Sequence, residues 1–353
     1  MPRVNREEFL HQLESVQPGL SSREIIEQSS CFVFQDGKVV TYNDEIACSH
    51  ECAVGLTGAV KAEPLLAVLR KLSEDELDIS QTKNEIQIEG KHRKAGIRFE
   101  QDIHLPVGKV ESPGKWQSLP EDWNEAVNLV QHCASSDQQQ FAMTCIHVHP
   151  DFLEASDNFQ VTRFKLATGI KKATLIRASS LKHVPNLGMT KFSETETWMH
   201  FKNPAGLVLS CRRYAETDGY PDMGPILKMK GHPITIPKGL GDAADRASVF
   251  SSETMDENQV LVELRPGKLR VRGTGATGWF QETKKVKYDG PGFAFCINPS
   301  LLIDITKRHN DAEITEGKMK VDGGKWRYVT CLSKPVEKEE PAEQEEETKP
   351  EAE

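Results

Sequence analysis

The sequence predicts an α+β protein built from three similar domains, each with two helices packed on an antiparallel sheet. The first observation behind this prediction is an internal repeat. Three segments each open with Leu or Ile at helical spacing, continue as two strand-like runs, and recur at intervals of roughly a third of the chain. These segments are residues 63–90, 178–203 and 298–324.

The second observation is an amphipathic helix ahead of each of these segments. Apolar residues recur three or four positions apart, which places them on one face of a helix. Alternating strand-like runs follow, so each third reads as two helices and several antiparallel strands. The apolar positions are Phe9, Leu13 and Val16; Trp123, Val127 and Val130; and Leu240, Ala244 and Ala247.

Clusters of Pro, Gly and Lys separate the thirds, at residues 107–115 and 228–239. Such clusters interrupt helices and strands and are typical of links between domains. The sequence therefore predicts domains at residues 1–115, 116–232 and 233–334, followed by a tail at 335–353.

Each predicted domain leaves sheet edges that must be paired or covered. Neighbouring domains can meet this need by joining edge to edge into one continuous sheet. Closing such an arrangement into a ring removes the remaining open ends.

The C-terminal tail carries most of the negative charge. It holds nine Glu and two Lys, a charge of −7, which leaves −2 of the total −9 for residues 1–334. A nearly neutral body can still gather its basic residues on one surface. The tail itself lacks aromatic residues and is predicted to be disordered.

The chain is predicted to be cytoplasmic. Its first residues are charged, and no stretch approaches the roughly 18 apolar residues of a membrane span. Scattered cysteines without a CxxC pair, mostly in apolar runs, favour reduced thiols in a reducing compartment. The eight are Cys31, Cys48, Cys52, Cys133, Cys145, Cys211, Cys296 and Cys331.

One glycine pattern imitates a nucleotide-binding loop. Gly273, Gly275 and Gly278 match GxGxxG, but that loop cradles phosphates only where it opens a helix. The residues that follow, WFQETKKVKY, are strand-like. The pattern therefore predicts a glycine-rich hairpin loop.

A metal-dependent hydrolase remains an alternative, built around Cys145, His147 and His149, which alternate onto one face of a strand. No HExxH or CxxC motif accompanies them, so a packed or solvated strand face is favoured. No spacing singles out an acid–base pair, and no GxSxG motif is present. The sequence predicts neither catalysis nor a cofactor or metal.

Six segments, in order and spread over nearly the whole body, carry a family resemblance. They are LESVQPGLSSREIIEQSSCFVF (13–34), TYNDEIA (41–47), YAETDGYPDMGPIL (214–227), DRASVFSSE (245–253), FCINPSLLIDIT (295–306) and WRYVTCL (326–332). These segments resemble parts of the bacterial beta-type sliding clamps, the DNA polymerase III beta subunit family. In the first third, the resemblance covers the opening helix, an Arg-bearing loop and the first strands.

The resemblance implies the DNA clamp fold, in which three repeated clamp domains form a ring on head-to-tail dimerisation. It implies a processivity factor that encircles double-stranded DNA without reading its sequence. The implied partners are a replicative DNA polymerase, other replication and repair proteins and a clamp-loader ATPase. A clamp-like scaffold that binds only proteins remains an alternative, and a cellular or a phage origin stays open.

The resemblance also implies DNA contacts. Arg23 stands where the family has a DNA-touching Arg in the loop after the first helix, and glutamines replace a pair of tyrosines in the second domain. The implied DNA-binding residues are Arg23, Arg70, Lys71, Gln139, Gln140, Lys182, Arg246, Lys307 and Arg308.

Two protein-binding surfaces are implied in the same way. One is an apolar pocket for partner peptides, at Phe141, Ser156, Asn158, Val161, Pro237, Val329, Cys331 and Leu332. Beside it, Phe159 and Gln160 depart from the His and Arg usual in the family. The other is the subunit contact between the last strand of domain one and an edge of domain three, at Ala95, Ile97, Val249 and Phe250.

Overall fold

The computed structural model describes residues 3–215, 219–251 and 259–335. The chain forms two compact units, Met1–Leu227 with Gly324–Tyr328, and Lys228–Gly323 with Val329–Glu353. Antiparallel sheets dominate and short helices pack on them, as the predicted α+β class requires. The three-domain limits stay predictions, and residues 336–353 of the predicted tail lie outside the described residues.

The first third of the chain runs strand, helix, four strands, helix, three strands. Its first helix begins at the side chain of Asn5, which accepts a hydrogen bond from the Glu8 amide at 3.0 Å. The elements are β1 (Arg3–Asn5), α1 (Arg6–Ser15), β2 (Cys31–Gln35), β3 (Lys38–Tyr42), β4 (Ile46–Glu51), β5 (Gly58–Lys61), α2 (Ala62–Lys71), β6 (Glu76–Gln81), β7 (Glu85–Glu89) and β8 (Lys94–Glu100).

The second third repeats this order, with its second helix split in two, and ends in a short link. The elements are β9 (Gln117–Ser118), α3 (Trp123–Val130), β10 (Cys145–His149), β11 (Phe152–Ser156), β12 (Gln160–Lys165), β13 (Thr174–Arg177), α4 (Ala178–Leu181), α5 (His183–Asn186), β14 (Lys191–Glu194), β15 (Trp198–Lys202) and β16 (Val208–Arg212), then β17 (Tyr214–Ala215) and α6 (Gly224–Leu227).

The last third has the same order again. Its second helix begins at Asn298, whose side chain accepts from the Ser300 amide at 2.9 Å, with Pro299 in the first turn. The elements are β18 (His232–Thr235), α7 (Leu240–Ser251), β19 (Val260–Arg265), β20 (Lys268–Gly275), β21 (Gly278–Lys285), β22 (Phe293–Ile297), α8 (Pro299–Arg308), β23 (Asp311–Ile314), β24 (Lys318–Asp322) and β25 (Trp326–Cys331).

The nine apolar positions that predicted the three leading helices are all buried. In α3, for example, the Trp123 ring stacks on Phe192 with ring centres 6.4 Å apart and lies 6.1 Å from Phe201. Burial of such large side chains removes apolar surface from water and fixes each helix on its sheet. The helical spacing in the sequence therefore predicted these core positions correctly.

The first two thirds share one sheet in the first unit. The fourth strand of the first third, β4, pairs antiparallel with β16, the last strand of the repeat in the second third. The pairs run from Ile46 opposite Cys211 to Ser49 opposite Val208. The predicted joining of neighbouring thirds edge to edge is confirmed at this point.

In the second unit, helix α7 lies directly on a four-stranded sheet of order β21-β20-β19-β22. A β-carbon at Gly273 would lie 1.8 Å from the Ala247 carbonyl oxygen, so only glycine fits between strand and helix. Gly275 pairs with Gly278 across a two-residue hairpin loop. The GxGxxG pattern is thus a hairpin, as predicted, and its first glycine serves helix packing.

Candidate nucleic-acid interface and protein-binding surfaces

Arg23 is exposed on the loop that joins α1 to β2, where the sequence placed a DNA contact. The base of this loop is held by Glu24, which accepts from the Gln28 amide at 2.8 Å and forms an ion pair with Lys61. The hydrogen bond from Lys61 lowers the pKa of Glu24. Lys61 also donates to Ser30 Oγ at 2.9 Å. Arg23 is therefore presented by an anchored loop.

Gln28 is the central residue of this anchor. It is only 1% exposed, and its φ of 61° is left-handed. Its side-chain amide donates to Glu100 Oε2 at 3.1 Å and to the Asp102 carbonyl at 2.8 Å, and its oxygen accepts from the His104 amide at 2.8 Å. Because a buried amide must satisfy its donors and acceptor, this side chain fixes the Arg23 loop against the end of β8.

Two of the predicted DNA-binding arginines are already paired within the chain. Arg70 on α2 donates to Glu14 Oε1 at 2.8 and 3.0 Å. Arg246 on α7 donates to Glu282 Oε2 at 2.6 and 3.2 Å, which raises the pKa of its guanidinium. Each pair leaves less positive charge for a phosphate.

Four other predicted DNA-binding cations differ from these two arginines. Arg23, Lys71, Lys182 and Lys307 are exposed, and within residues 3–215, 219–251 and 259–335 none of the four forms an ion pair. They remain available to phosphates. The side chain of Arg308 lies outside the described residues.

Gln139 and Gln140 lie on an exposed loop ordered by Asp137, whose Oδ1 accepts from the Gln139 amide at 2.9 Å. Gln140 Nε2 lies 3.4 Å from Asp137 Oδ2, and its Oε1 accepts from Asn158 Nδ2 at 2.6 Å. Asn158 belongs to the predicted peptide pocket. The structure therefore brings one residue of each predicted site into direct contact.

Among the first-unit members of the predicted peptide pocket, Phe141 lies just before β10, whereas Ser156, Asn158 and Val161 lie on β11 and β12 or between them. Phe141 packs edge-on against Tyr214, with ring centres 4.6 Å apart, under the Arg177 guanidinium at 4.7 Å. Ser156 and Val161 are buried partners in adjacent strands. Next to Asn158, the ring of Phe159 is 64% exposed.

The second-unit members lie near the end of β25 and before α7. Val329 and Leu332 are buried, Pro237 is half-buried and Cys331 is exposed. That the members from both units form one pocket stays a prediction.

Strand β8 offers an open edge at the predicted subunit contact. It pairs with β7 along Lys94–Arg98, but with β5 only at Phe99 and Glu100. Among the described strands, no partner covers residues 94–98 on the second side. Ala95 is half-buried there, and Ile97 already packs in its own core.

Strand β21 is the second open edge, since β20 is its only strand partner in the part of the chain that the structure describes. Phe250, at the end of α7, lies against Gly278 at the start of this strand. Val249 beside it is 66% exposed. Apolar surface and unpaired backbone thus lie together at this edge.

Cys145, His147 and His149 all lie on strand β10. Within the described ranges, no three His, Cys, Asp or Glu side chains are placed to hold a metal ion. His147 instead packs among rings, 4.9 Å from Tyr220 and 5.5 Å from Phe152. The packed strand face that the sequence favoured is the one observed.

None of the helices described here is long and apolar enough to span a membrane.

Comparison with known proteins identifies the fold. No protein-family model and no curated protein sequence matches the chain. Solved structures do match: a DNA polymerase III beta chain from Streptococcus pneumoniae has a TM-score of 0.81 at 16% identity over 94% of this chain and 99% of its own. A sliding clamp from Bacillus subtilis matches with a TM-score of 0.81 and 14% sequence identity, covering 95% of this chain and 99% of its own. A sliding clamp from Pseudomonas aeruginosa bound to griselimycin matches with a TM-score of 0.80 and 13% identity, covering 94% of this chain and 99% of its own.

The chain has the sliding-clamp fold.

Sequence reasoning missed two residues that organise this sliding-clamp fold. One is Gln28, and the other is Arg177, whose guanidinium contacts Glu45 Oε1 at 3.2 Å, Gln138 Oε1 at 2.6 Å and the Phe141 ring. Both act through partners distant in the sequence. Nothing in the neighbouring residues indicates either role.

Proposed function

We propose that this chain is a DNA sliding clamp, a processivity factor that closes around duplex DNA as a head-to-tail homodimer. In this role it tethers a replicative DNA polymerase and other replication or repair proteins, and a clamp-loader ATPase places it on DNA. It acts in the cytoplasm as an accessory subunit without a catalytic site or cofactor. The observation that carries the proposal is a strand join that recurs along the chain.

The fourth strand of a third joins the last strand of the repeat in another third. In the first unit β4 pairs with β16. In the same unit β12, the fourth strand of the second third, lies beside residues 324–328, and the Lys165 amide donates to the Lys325 carbonyl at 2.7 Å. The two positions left over are β21 and β8, which are the open edges described at the predicted subunit contact.

A second copy can therefore repeat the join, with its β8 beside β21 of the first. Such an interface is head-to-tail, and it gives a ring if its rotation closes and a filament if it does not. Two copies of a chain with the sliding-clamp fold supply six repeats, which support closure. Val249 and Phe250 add apolar surface on one side of the interface, and Ala95 and Ile97 lie on the other.

A closed ring holds DNA by topology, so weak phosphate contacts that ignore sequence are sufficient. Arg23, Lys71, Lys182 and Lys307 are the unpaired cations suited to this task. The exposed amides of Gln139 and Gln140 can hydrogen-bond phosphate. The polymerase and the loader are proposed to insert apolar side chains of a short peptide into the predicted peptide pocket that includes Phe141.

The deciding experiment loads the purified protein onto a nicked circular duplex and then cuts the circle once. Retention on the circle and loss after cutting are the expected results, because only a ring is released by a free end. Equal loss from circular and linear DNA contradicts topological tethering. Solution mass and low-resolution imaging test the dimeric ring separately.

A scaffold that keeps the fold and binds only proteins is the second candidate. The pairing of Arg70 with Glu14 and of Arg246 with Glu282 favours it, since both reduce the attraction for DNA. The variant Arg23→Glu/Lys71→Glu separates the two functions. If the chain is a clamp, the variant is loaded onto DNA much less than the original chain. If it is a protein scaffold, neither the original chain nor the variant is loaded onto DNA.

A further inference from the structure

The four-stranded sheet β21-β20-β19-β22 of the second unit has one face on which none of the helices that the structure describes is packed. On β20, Leu269 and Val271 are buried and Gly273 meets α7, so the alternate residues point to the opposite face. The strand registers show which residues of β19 and β21 lie beside them on this face. Lys268 lies between Arg265 and Lys285, and Arg270 lies opposite Glu263. We call this the basic sheet face, defined by Arg265, Lys268, Arg270, Arg272, Lys285 and Trp279.

This face concentrates positive charge on a body that is almost neutral. Five of its residues are cations, and Glu263, which pairs with Arg270, is the acid placed among them. Arg265, Lys268, Arg272 and Lys285 are exposed, and none of these four has an acidic partner in the described part of the chain. A cluster of unpaired cations repels itself and is stabilised by an anionic partner.

The same face carries an exposed aromatic ring. Trp279 is 64% exposed, and the Arg272 guanidinium lies 5.8 Å from its ring centre. Single exposed apolar residues are common on protein surfaces, so this ring is informative because a guanidinium and other cations lie beside it. A flat ring beside cations is the combination on which unpaired bases stack while phosphates meet the charges.

The spacing of the cations suits an extended strand of nucleic acid. Outward residues on β20 are two positions apart, about 7 Å along the strand, which is comparable with the spacing of successive phosphates in an extended single strand. Pairing along the edge of β21 uses backbone groups in the plane of the sheet, so it leaves this face open.

We propose that the basic sheet face binds single-stranded nucleic acid without sequence preference, by phosphate contacts to Lys268, Arg272 and Lys285 and base stacking on Trp279. This function is separate from encirclement of duplex DNA. It gives a clamp on duplex DNA a second, external contact for an unpaired strand.

The test is binding of a fluorescein-labelled oligothymidylate of about 16 nucleotides to the full chain, followed by polarisation over a range of salt. Lys268→Glu/Lys285→Glu is expected to weaken binding at least tenfold. Lys268→Gln/Lys285→Gln should reduce the salt slope by about 1.4 if each lysine neutralises one phosphate. The matched control, Lys38→Glu/Lys165→Glu, reverses two exposed strand cations elsewhere and should change binding little.

Stacking is tested with Trp279→Ala, which should weaken binding about fivefold or more, and Trp279→Phe, which should restore part of the loss. Ile226→Ala is the control, because Ile226 is an exposed apolar residue of the other unit that belongs to none of the predicted sites. Circular dichroism melting checks that each variant is folded. Unchanged binding in both the lysine and the tryptophan variants overturns the proposal.

Two further outcomes also overturn it. If Lys71→Glu abolishes oligonucleotide binding while Lys268→Glu/Lys285→Glu does not, the strand binds on the proposed ring lining instead. If the chain ignores the oligonucleotide but binds a labelled peptide of residues 335–353 through Lys268 and Lys285, the acidic segment is the occupant. Retention on circular duplex tests the clamp function independently.

Discussion

The join between β4 and β16 and the open edges of β8 and β21 occupy corresponding places in the repeat, but they differ in the side-chain hydrogen bonds around them. At the join, Arg212 donates to Asp44 Oδ1 and to the Asp44 carbonyl, both at 2.7 Å, and Tyr214 donates to Glu45 Oε1 at 2.7 Å. Burial, more than the hydrogen bond to Asp44, raises the pKa of the adjacent Tyr42 to about 12.

Among the residues that the structure describes, no such side-chain hydrogen bonds cover the open edges. They present a row of unpaired backbone groups, with exposed Val249 beside the edge of β21. The same antiparallel strand pairing can therefore hold two repeats together within one chain where side-chain hydrogen bonds stabilise it. It can serve as a separable contact where they do not.

The largest effect expected is from Leu209→Ala, which removes a fully buried side chain from β16 at the join. The free energy of unfolding should fall by about 3 kcal/mol, measured by urea denaturation. Val208→Ala, on a half-buried residue of the same strand, is the control and should cost much less. Equal losses would show that the join is not part of the core.

Acid should lower the free energy of unfolding through His200, which contacts a residue of β16 at the join. Burial lowers the pKa of His200 to about 4, and its Nδ1 lies 2.8 Å from Ser210 Oγ on β16. Because the folded pKa lies below the ordinary 6.5, the contribution is complete above pH 6.5 and is lost as pH falls toward 4. The loss is on the order of 3 kcal/mol.

The measurement is the melting temperature between pH 7 and pH 4. Burial also lowers the pKa of His183 to about 4, so it contributes in the same window. His200→Gln isolates the share of His200. A variant with the same acid sensitivity as the original chain would contradict the role given to His200.

At the open edge, Val249→Glu should weaken dimerisation by about tenfold to a hundredfold, since it buries a charge in the proposed subunit contact. Sedimentation equilibrium gives the dissociation constant. The melting temperature of the monomer should hardly change, because Val249 is exposed. Ile25→Glu, at a residue 89% exposed, should leave the dimer intact.

The smallest contrast concerns two arginines. Arg212→Ala breaks the half-buried bonds to Asp44 and should cost about 1–2 kcal/mol of unfolding free energy. Arg98→Ala on the open edge of β8 should stay within about 0.5 kcal/mol. Chemical denaturation of both variants decides; similar costs would mean that the polar cover does not distinguish the two places.

Local pattern was sufficient to predict much of this molecule. Periodicity placed Phe9, Trp123 and Leu240 on buried helix faces, and the strand-like residues after Gly278 predicted a hairpin rather than a phosphate loop. These features depend on neighbours within a few residues, which a sequence displays directly.

Features that depend on distant partners were not predicted. Arg70 meets Glu14 across 56 positions and Arg246 meets Glu282 across 36, so neither ion pair was predicted when the two arginines were taken as DNA contacts. Gln28 is fixed by residues 72 to 77 positions away. Such contacts arise only once the sheets have formed.

Close packing of α7 on β20 limits which residues can replace Gly273 during evolution. Because the Ala247 carbonyl fills the space where a β-carbon would stand, every missense change at this codon introduces a clash with backbone that cannot rotate away. Substitution is therefore closed off at this position for any lineage that keeps α7 seated, however freely the surrounding surface diverges.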